Sequence, residues 1–516
     1  MKITCAGHAG LYIETAAGSI LCDPWRGPSY FASWFVFPDN SAVDFGSFAP
    51  DFLYLSHLHR DHFDPDILRR FVPKTATVLL PDYPTDDLRS ELSELGFHSF
   101  VQTTNGVPLE LDGLRIMISA MTSPADGPLG DSALAVDDGS VRFLNQNDAR
   151  PRELEPITEF GPYDGHSLQF SGAIWWPVVY DLAPATKSAL GVRKRENGMA
   201  RAMRFVESVG ARYVFPNSGP PAFLDDDLFA YNDVANSADN PFPDQTVFLG
   251  YLAEHGYDNG RLLIPGSTAE LTAGGECTVT HALDEDEVLG IFADKQTYLS
   301  AYAERERPLI AGLRASWPRY EGDLTAALAE WWDPLLALAD RIGPGVGVPV
   351  LLEIGHEKIV IDFGTREVRP FAGEECRYRF AMAHELVEAL VANHEIDWVN
   401  SLFLSLRFRA WRRGAYNEFI YTFFKCLAPE RLSYAEGWYA EQEEPDDLVR
   451  IGDYLVQRRC PHLKADLARF GVVGDDGILQ CGMHGWRFDL ATGRCLTSDS
   501  HHIVAIRVDE PAPAAE

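Results

Sequence analysis

Residues 54–64 read YLSHLHRDHFD and place His57, His59, Asp61 and His62 within six positions. Imidazole is the commonest protein ligand for zinc and iron, and an adjacent carboxylate can ligate or orient it. Four ligand-type residues at this density read as a metal site, built either to activate water or to activate oxygen. A second set lies near the C-terminus. Cys460 and His462 sit in CPH, Cys481 and His484 in CGMH, and 18 residues separate the pairs. Each pair offers one thiolate and one imidazole. A Cys2His2 set can bind zinc, but zinc fingers pair cysteine with cysteine and histidine with histidine. Mixed pairs suit a [2Fe-2S] cluster in which one iron takes two cysteines and the other two histidines.

These residues need elements to hold them. The apolar run DFLYL ahead of His57 reads as a strand whose end turns into a loop, which aims several imidazoles into one space. Over the first ~270 residues, β-rich runs such as LYIETAAGSILCDPW, ATVLLP, LRIMISAMT, VRFLNQND and ARYVFPNSG alternate with helical stretches near 64–71, 84–96 and 195–209. That alternation predicts a layered α/β domain over 1–275. A middle region, 276–436, is helical over ~281–342 and then α+β, with the strand-like runs VPVLLEIG and KIVIDFG followed by helices. HELVEALVANH reads as an amphipathic helix, not a zinc motif, because position 388 is Glu. The acidic, turn-prone AEQEEPDD then links to a small β domain, 437–516.

Two resemblances follow from these motifs. SHLHRDH matches the H-x-H-x-D-H signature of the metallo-β-lactamase fold, an αββα sandwich, and GHAGLYIETAAGSILCDPW resembles that superfamily's opening strands. The likeness spans about 1–270. It implies further ligands at later strand ends: Asp148 in NQNDAR as an added carboxylate, and His166 or Asp164 in YDGHSLQF as a last ligand. Hydrolases of this fold usually supply a third histidine on the loop that here reads MTSPADGPLGD, which has none; Asp126 or Asp131 is the candidate substitute. Fewer histidines and more carboxylates lean from zinc toward iron. His8, in AGHAG, reads as a packing or supporting residue.

The segment CPHLKADL…CGMHGWRFDLATGRC resembles Rieske domains of oxygenases and their ferredoxins. The resemblance assigns Cys460, His462, Cys481 and His484 to a [2Fe-2S] cluster, shielded by Gly485 and Trp486, with Cys495 structural. Leu463, Lys464 and Ala465 follow His462, so the inter-loop disulfide of respiratory Rieske proteins is not expected. Residues ~346–430 resemble sterol-carrier-like lipid-binding domains. The combination resembles the CMP-N-acetylneuraminate hydroxylase-like monooxygenases, which join the same two modules in the opposite order and without the middle region. That likeness implies a non-haem iron site of one or two irons, O2 as co-substrate, and electrons from NAD(P)H through a reductase or ferredoxin. The expected reaction is hydroxylation of a C–H or N–H in a sugar nucleotide or amine-bearing metabolite. The alternative is a hydrolase whose cluster senses redox state.

Bulk properties narrow the partners. A formal net charge of −32 over 516 residues argues against nucleic acid or anionic membrane and favours a basic redox partner. No apolar run approaches the ~20 residues that span a bilayer. MKITCAGHAGLYIET reads as an alternating strand rather than a signal peptide, so the expected location is cytoplasmic, with a homo-oligomer possible. Eight cysteines are too few for a disulfide framework. Basic residues concentrate in VRKRENGMARAMRFVE, where Arg193, Lys194, Arg195, Arg201 and Arg204 either hold a phosphate or carboxylate or form a solvated helix face.

Overall fold

The computed structural model describes all residues except 173, 442–446, 463, 484, 499–500 and 509–516. The chain divides into two compact units. The first comprises 1–321 and 381–410, the second 322–380 and 411–516.

The first unit is a metallo-β-lactamase-type sandwich. One sheet has eight strands, in the order Thr278–Thr280, Thr268–Glu270, Lys2–Gly7, Gly10–Thr15, Gly18–Cys22, Phe52–Tyr54, Thr77–Leu80, Phe100–Gln102. The other has six: Tyr213–Asn217, Gly165–Gln169, Arg142–Asn147, Asp131–Asp137, Leu114–Met121, Leu109–Leu111. Strand side chains alternate between faces, and the sequence uses both. Ile13, Ile20 and Tyr54 join Ile118, Val136 and Phe143 in the core between the sheets. The intervening Leu21, Leu53 and Val78 pack outward with Ile67, Leu68, Leu88 and Leu92 from the helices Pro65–Arg70 and Asp87–Glu94.

Register decides where chemistry can occur. Gly18–Cys22 and Phe52–Tyr54 run parallel, with Cys22 level with Tyr54. Asp23 and the Ser56–His57 step therefore emerge at the same strand ends. Arg142–Asn147 runs parallel to Gly165–Gln169 and antiparallel to Asp131–Asp137. The end of the first and the start of the last, Asp148 and Asp131, thus share one sheet end. Ligands collect where parallel strands finish, the usual location in α/β sheets.

The helix expected over 195–209 is longer, Pro184–Val209. Gly191 and Gly198 lower intrinsic helix preference by about 1 kcal/mol each, which hides the first turns. The reason for one of them is packing: a Cβ on Gly191 would stand 1.9 Å from the Asp239 carbonyl oxygen.

The second unit has the helices Leu324–Leu338, Glu418–Lys425 and Pro429–Glu441 and an antiparallel meander, Val350–Ile354, Glu357–Asp362 and Glu367–Pro370. It ends in a β-rich domain of two three-stranded sheets. Among the described residues no helix is long and apolar enough to cross a membrane.

Candidate metal centres

In the first unit the structure forms two overlapping ligand groups that share His62. His8, Asp61 and His62 make one, His57, His62 and Asp148 the other, with ligand atoms in each group within 4.8 Å of one another. His57, Asp61 and His62 are at most 2% exposed. Burial at this level costs several kcal/mol per charge unless each is compensated, so the surrounding groups matter.

Asp23 and Ser56 provide much of that compensation. The fully buried Asp23 carboxylate accepts from Ser56 N at 2.7 Å and Ser56 Oγ at 2.8 Å, and lies 3.1 Å from His62 Nδ1. Ser56 Oγ also hydrogen-bonds His57 Nδ1 at 2.9 Å and His62 Nδ1 at 3.1 Å. With Nδ1 engaged, His62 turns Nε2 toward Asp148 Oδ1 at 3.5 Å and Asp61 Oδ2 at 3.8 Å. Both distances are long for a hydrogen bond. His62 Nε2, Asp148 Oδ1 and His8 Nδ1 are buried without a hydrogen-bond partner. His62 Nε2 and Asp148 Oδ1, facing each other at 3.5 Å without a hydrogen bond and with a further carboxylate beside them, are the surroundings of a cation, so the residues fit a metal ion.

Asp61 is held by Tyr30 Oη, which donates at 2.5 Å, and by His8 Nε2 at 2.9 Å. Asp131 lies 3.3 Å from His57 Nδ1. His59 is in neither ligand group; its Nδ1 lies 2.7 Å from His57 Nε2 and its Nε2 2.7 Å from Asn400 Oδ1. Asn400 stands in the π-helical turn Val399–Phe403, and its amide donates to Asp397 Oδ2 and the Gly127 carbonyl. His166 is also outside both groups: it is buried, with Nε2 on Gln146 Oε1 at 2.8 Å. Asp126 is taken by Arg152 and Ser123, and Asp164 accepts from the Arg142 backbone and pairs with Arg212.

The charges respond accordingly. Burial and the neighbouring His62 and His59 push His57 well below the usual imidazole range. Burial would also lower His62, but Asp148, Asp61 and Asp23 outweigh it and raise that group well above its ordinary value. Asp61 is lowered because His62 and His8 oppose its burial. Asp131 is raised, by burial and then by the Asp148 charge.

The second unit holds the cysteine pairs. Lys464 N donates to Cys460 O at 2.8 Å, and Cys460 N to Ala465 O at 2.9 Å. Gly485 N donates to Cys481 O at 2.8 Å, and Cys481 N to Trp486 O at 2.7 Å. The two loops are thus the same hairpin, each closing on a positive φ four residues after its cysteine, at Lys464 (56°) and Gly485 (73°). Cys460 and Cys481 are fully buried, and none of the eight cysteines is in a disulfide. His484 lies outside the described residues. Trp486 stacks on His462 with ring centroids 4.0 Å apart and planes 10° apart. Glu418 faces His462 Nε2 at 3.2 Å and His501 Nε2 at 3.3 Å, and burial raises its carboxyl. Paired loops, buried thiolates and a shielding ring fit an iron–sulfur cluster.

Fold and sites together define a metallo-β-lactamase-type domain joined to a Rieske [2Fe-2S] domain. A Rieske [2Fe-2S] family profile matches residues 451–506, and a profile described as Rv3818-like, SCP2-like domain matches 324–441. Rv3818 of Mycobacterium tuberculosis, named for a Rieske 2Fe-2S iron-sulfur protein, is 49% identical over 516 residues, covering 98% of this chain and 100% of its own. A Mycolicibacterium smegmatis protein of the same description is 48% identical over 515 residues, covering 98% and 99%. The chain belongs to this family of Rieske 2Fe-2S iron-sulfur proteins. Among solved structures, an isothiocyanate hydrolase from Delia radicum gut bacteria is 16% identical, covering 53% of this chain and 100% of its own, with a TM-score of 0.36.

Proposed function

We propose that the protein is a two-centre iron oxidoreductase in which the Rieske cluster supplies electrons to an iron site in the N-terminal domain, for an O2-dependent oxidation of a small metabolite. One observation carries this reading: a Rieske domain and a cation-shaped set of buried histidines and carboxylates lie on one chain. Hydrolysis moves no electrons, whereas a Rieske cluster carries one at a time.

Cys460, His462, Cys481 and His484 would hold the cluster. His57, His62 and Asp148 would hold the second metal, with Asp61 and His8 beside them. Iron held there would supply O2 activation. The chain's own residues do the rest. Asp23 and Ser56 fix which nitrogen of His62 and His57 faces inward. Tyr30 and His8 keep Asp61 oriented, and Asn400 holds His59 from the opposite side. Burial of these groups excludes bulk water from the site. The electron donor is a reductase or ferredoxin, and the acidic surface suits a basic one.

The hydrolase with a redox-sensing cluster is the second reading, and the N-terminal site taken alone favours it. Asp61, kept ionised by His62 and His8, stands beside the ligand set as a base for a metal-activated water, and no electron is required. Turnover decides between the two. Product formation that needs both O2 and a reductant supports oxidation; product formation indifferent to both supports hydrolysis.

A further inference from the structure

The basic residues of VRKRENGMARAMRFVE do not behave as one group. Arg193 is exposed. Arg195 is buried and matched by Asp233 at 2.6 Å. Lys194 and Arg201 are partly buried and lie seven residues apart on the helix Pro184–Val209, so they share a face. Gly198 lies between them on that face. A Cβ there would stand 3.2 Å from the Phe170 carbonyl oxygen, so this face lies against the end of strand Gly165–Gln169. Arg150 reaches the same strand end, its Nη2 donating to Gln169 Oε1 at 3.0 Å. Arg150 is two residues past Asp148.

Lys194, Arg201 and Arg150 thus lie within electrostatic reach of one another, and Arg201 within reach of Asp148. Among the described residues Lys194 has no hydrogen-bond or ion-pair partner, and burial with the charges of Arg201 and Arg150 pushes its ammonium down to about 7. Arg201 is depressed by burial and then by Arg150 and Arg204, opposed by Asp148. Folding gains nothing from Lys194 in this place: a desolvated cation among like charges costs free energy unless an anion joins it. The chain has 76 acidic residues, yet none of those described pairs with Lys194.

We infer that Arg150, Lys194 and Arg201 form an oxyanion-binding subsite next to Asp148, which receives a carboxylate or phosphate group of the substrate. Assigning that anion to a substrate rests on the function proposed above; the subsite itself does not. Arginine and lysine supply charge-assisted donors to either group.

The test uses the full-length, metal-loaded protein with inorganic phosphate and acetate as separate probes, followed by calorimetry and thermal midpoint. Saturable binding of one or both is expected, and the tighter probe identifies the group. Lys194→Met and Arg201→Gln each weaken binding about tenfold or more, while Arg193→Gln binds as wild type. Without anion, Lys194→Met melts at the wild-type midpoint or above it, because an uncompensated charge is gone. Chelator-treated protein keeps the binding, which separates this subsite from anions held by the metal. The inference is overturned by no saturable binding of either probe, by an equal loss in Arg193→Gln, by a lowered midpoint in Lys194→Met, or by binding that disappears with the metal. None of these outcomes bears on whether turnover needs O2.

Discussion

Asp23→Asn isolates the contribution of a residue that touches no substrate. The asparagine is the same size and keeps one oxygen for the Ser56 backbone N–H. Its amide nitrogen replaces the oxygen that faces Ser56 Oγ at 2.8 Å and His62 Nδ1 at 3.1 Å. Ser56 Oγ also orients His57 Nδ1, so the change loosens two candidate ligands through one hydroxyl. Loss of a carboxylate behind a ligating histidine typically weakens metal binding 10–100-fold, or about 1.4–2.7 kcal/mol. With two histidines affected, the upper part of that range is expected here. Competition with a chelator, read as metal retained in the N-terminal site while the cluster signal stays constant, measures the effect. Asp126→Asn is the comparator: that carboxylate serves Ser123 and Arg152 and no histidine, and its loss leaves metal affinity unchanged. Wild-type affinity in Asp23→Asn, or an equal loss in Asp126→Asn, refutes the reasoning.

Three further outcomes are expected. Glu418→Gln removes a buried carboxyl facing His462 Nε2 and raises the cluster's reduction potential, on the order of 60 mV for each ~1.4 kcal/mol of lost interaction with the oxidised form; a redox titration followed by EPR reads it, and an unchanged or lower potential contradicts it. His166 is held neutral, burial pushing it down to about 3, whereas the unfolded chain protonates it near 6.5. Its contribution is intact above about pH 6.5 and is lost at about 1.4 kcal/mol per unit as pH falls toward 3; denaturant titrations of His166→Gln, whose amide still donates to Gln146, show a shallower loss over that window. Asn400→Ala removes the partner of His59 Nε2 and costs about 1 kcal/mol of folding stability, with thermal unfolding as the check.

The candidate ligand stretch stood out in the sequence because its chemistry is local: His57, His59, Asp61 and His62 fall within six positions, and Asp148 follows an obvious strand; of the candidates, His59 and His166 fall outside both ligand groups. The partners that fix those side chains were not. Asp23, Tyr30 and Asn400 reach the site only through parallel strand register and long-range packing, and Asn400 is 341 residues from the histidine it holds. The Asp-Pro-Trp stretch after the third strand was the available signal for Asp23. His8 read as a supporting residue, yet the fold puts it in a ligand group. Asp126 and Asp131 could not be ranked from their loop, because Arg152, which occupies Asp126, comes from another segment. The cysteine loops stood out by their mixed Cys–His pairs and by the resemblance of their flanks to Rieske domains. The Glu418 carboxyl behind them was not, since it lies on a helix more than 40 residues upstream.

The central claim is that the N-terminal histidines and carboxylates hold iron. Its most direct test is metal analysis of Cys481→Ser, in which the [2Fe-2S] EPR signal is expected to vanish and only the N-terminal site should retain metal. The account predicts about one or two irons per chain with negligible zinc. Stoichiometric zinc with no iron contradicts it and leaves the hydrolytic reading.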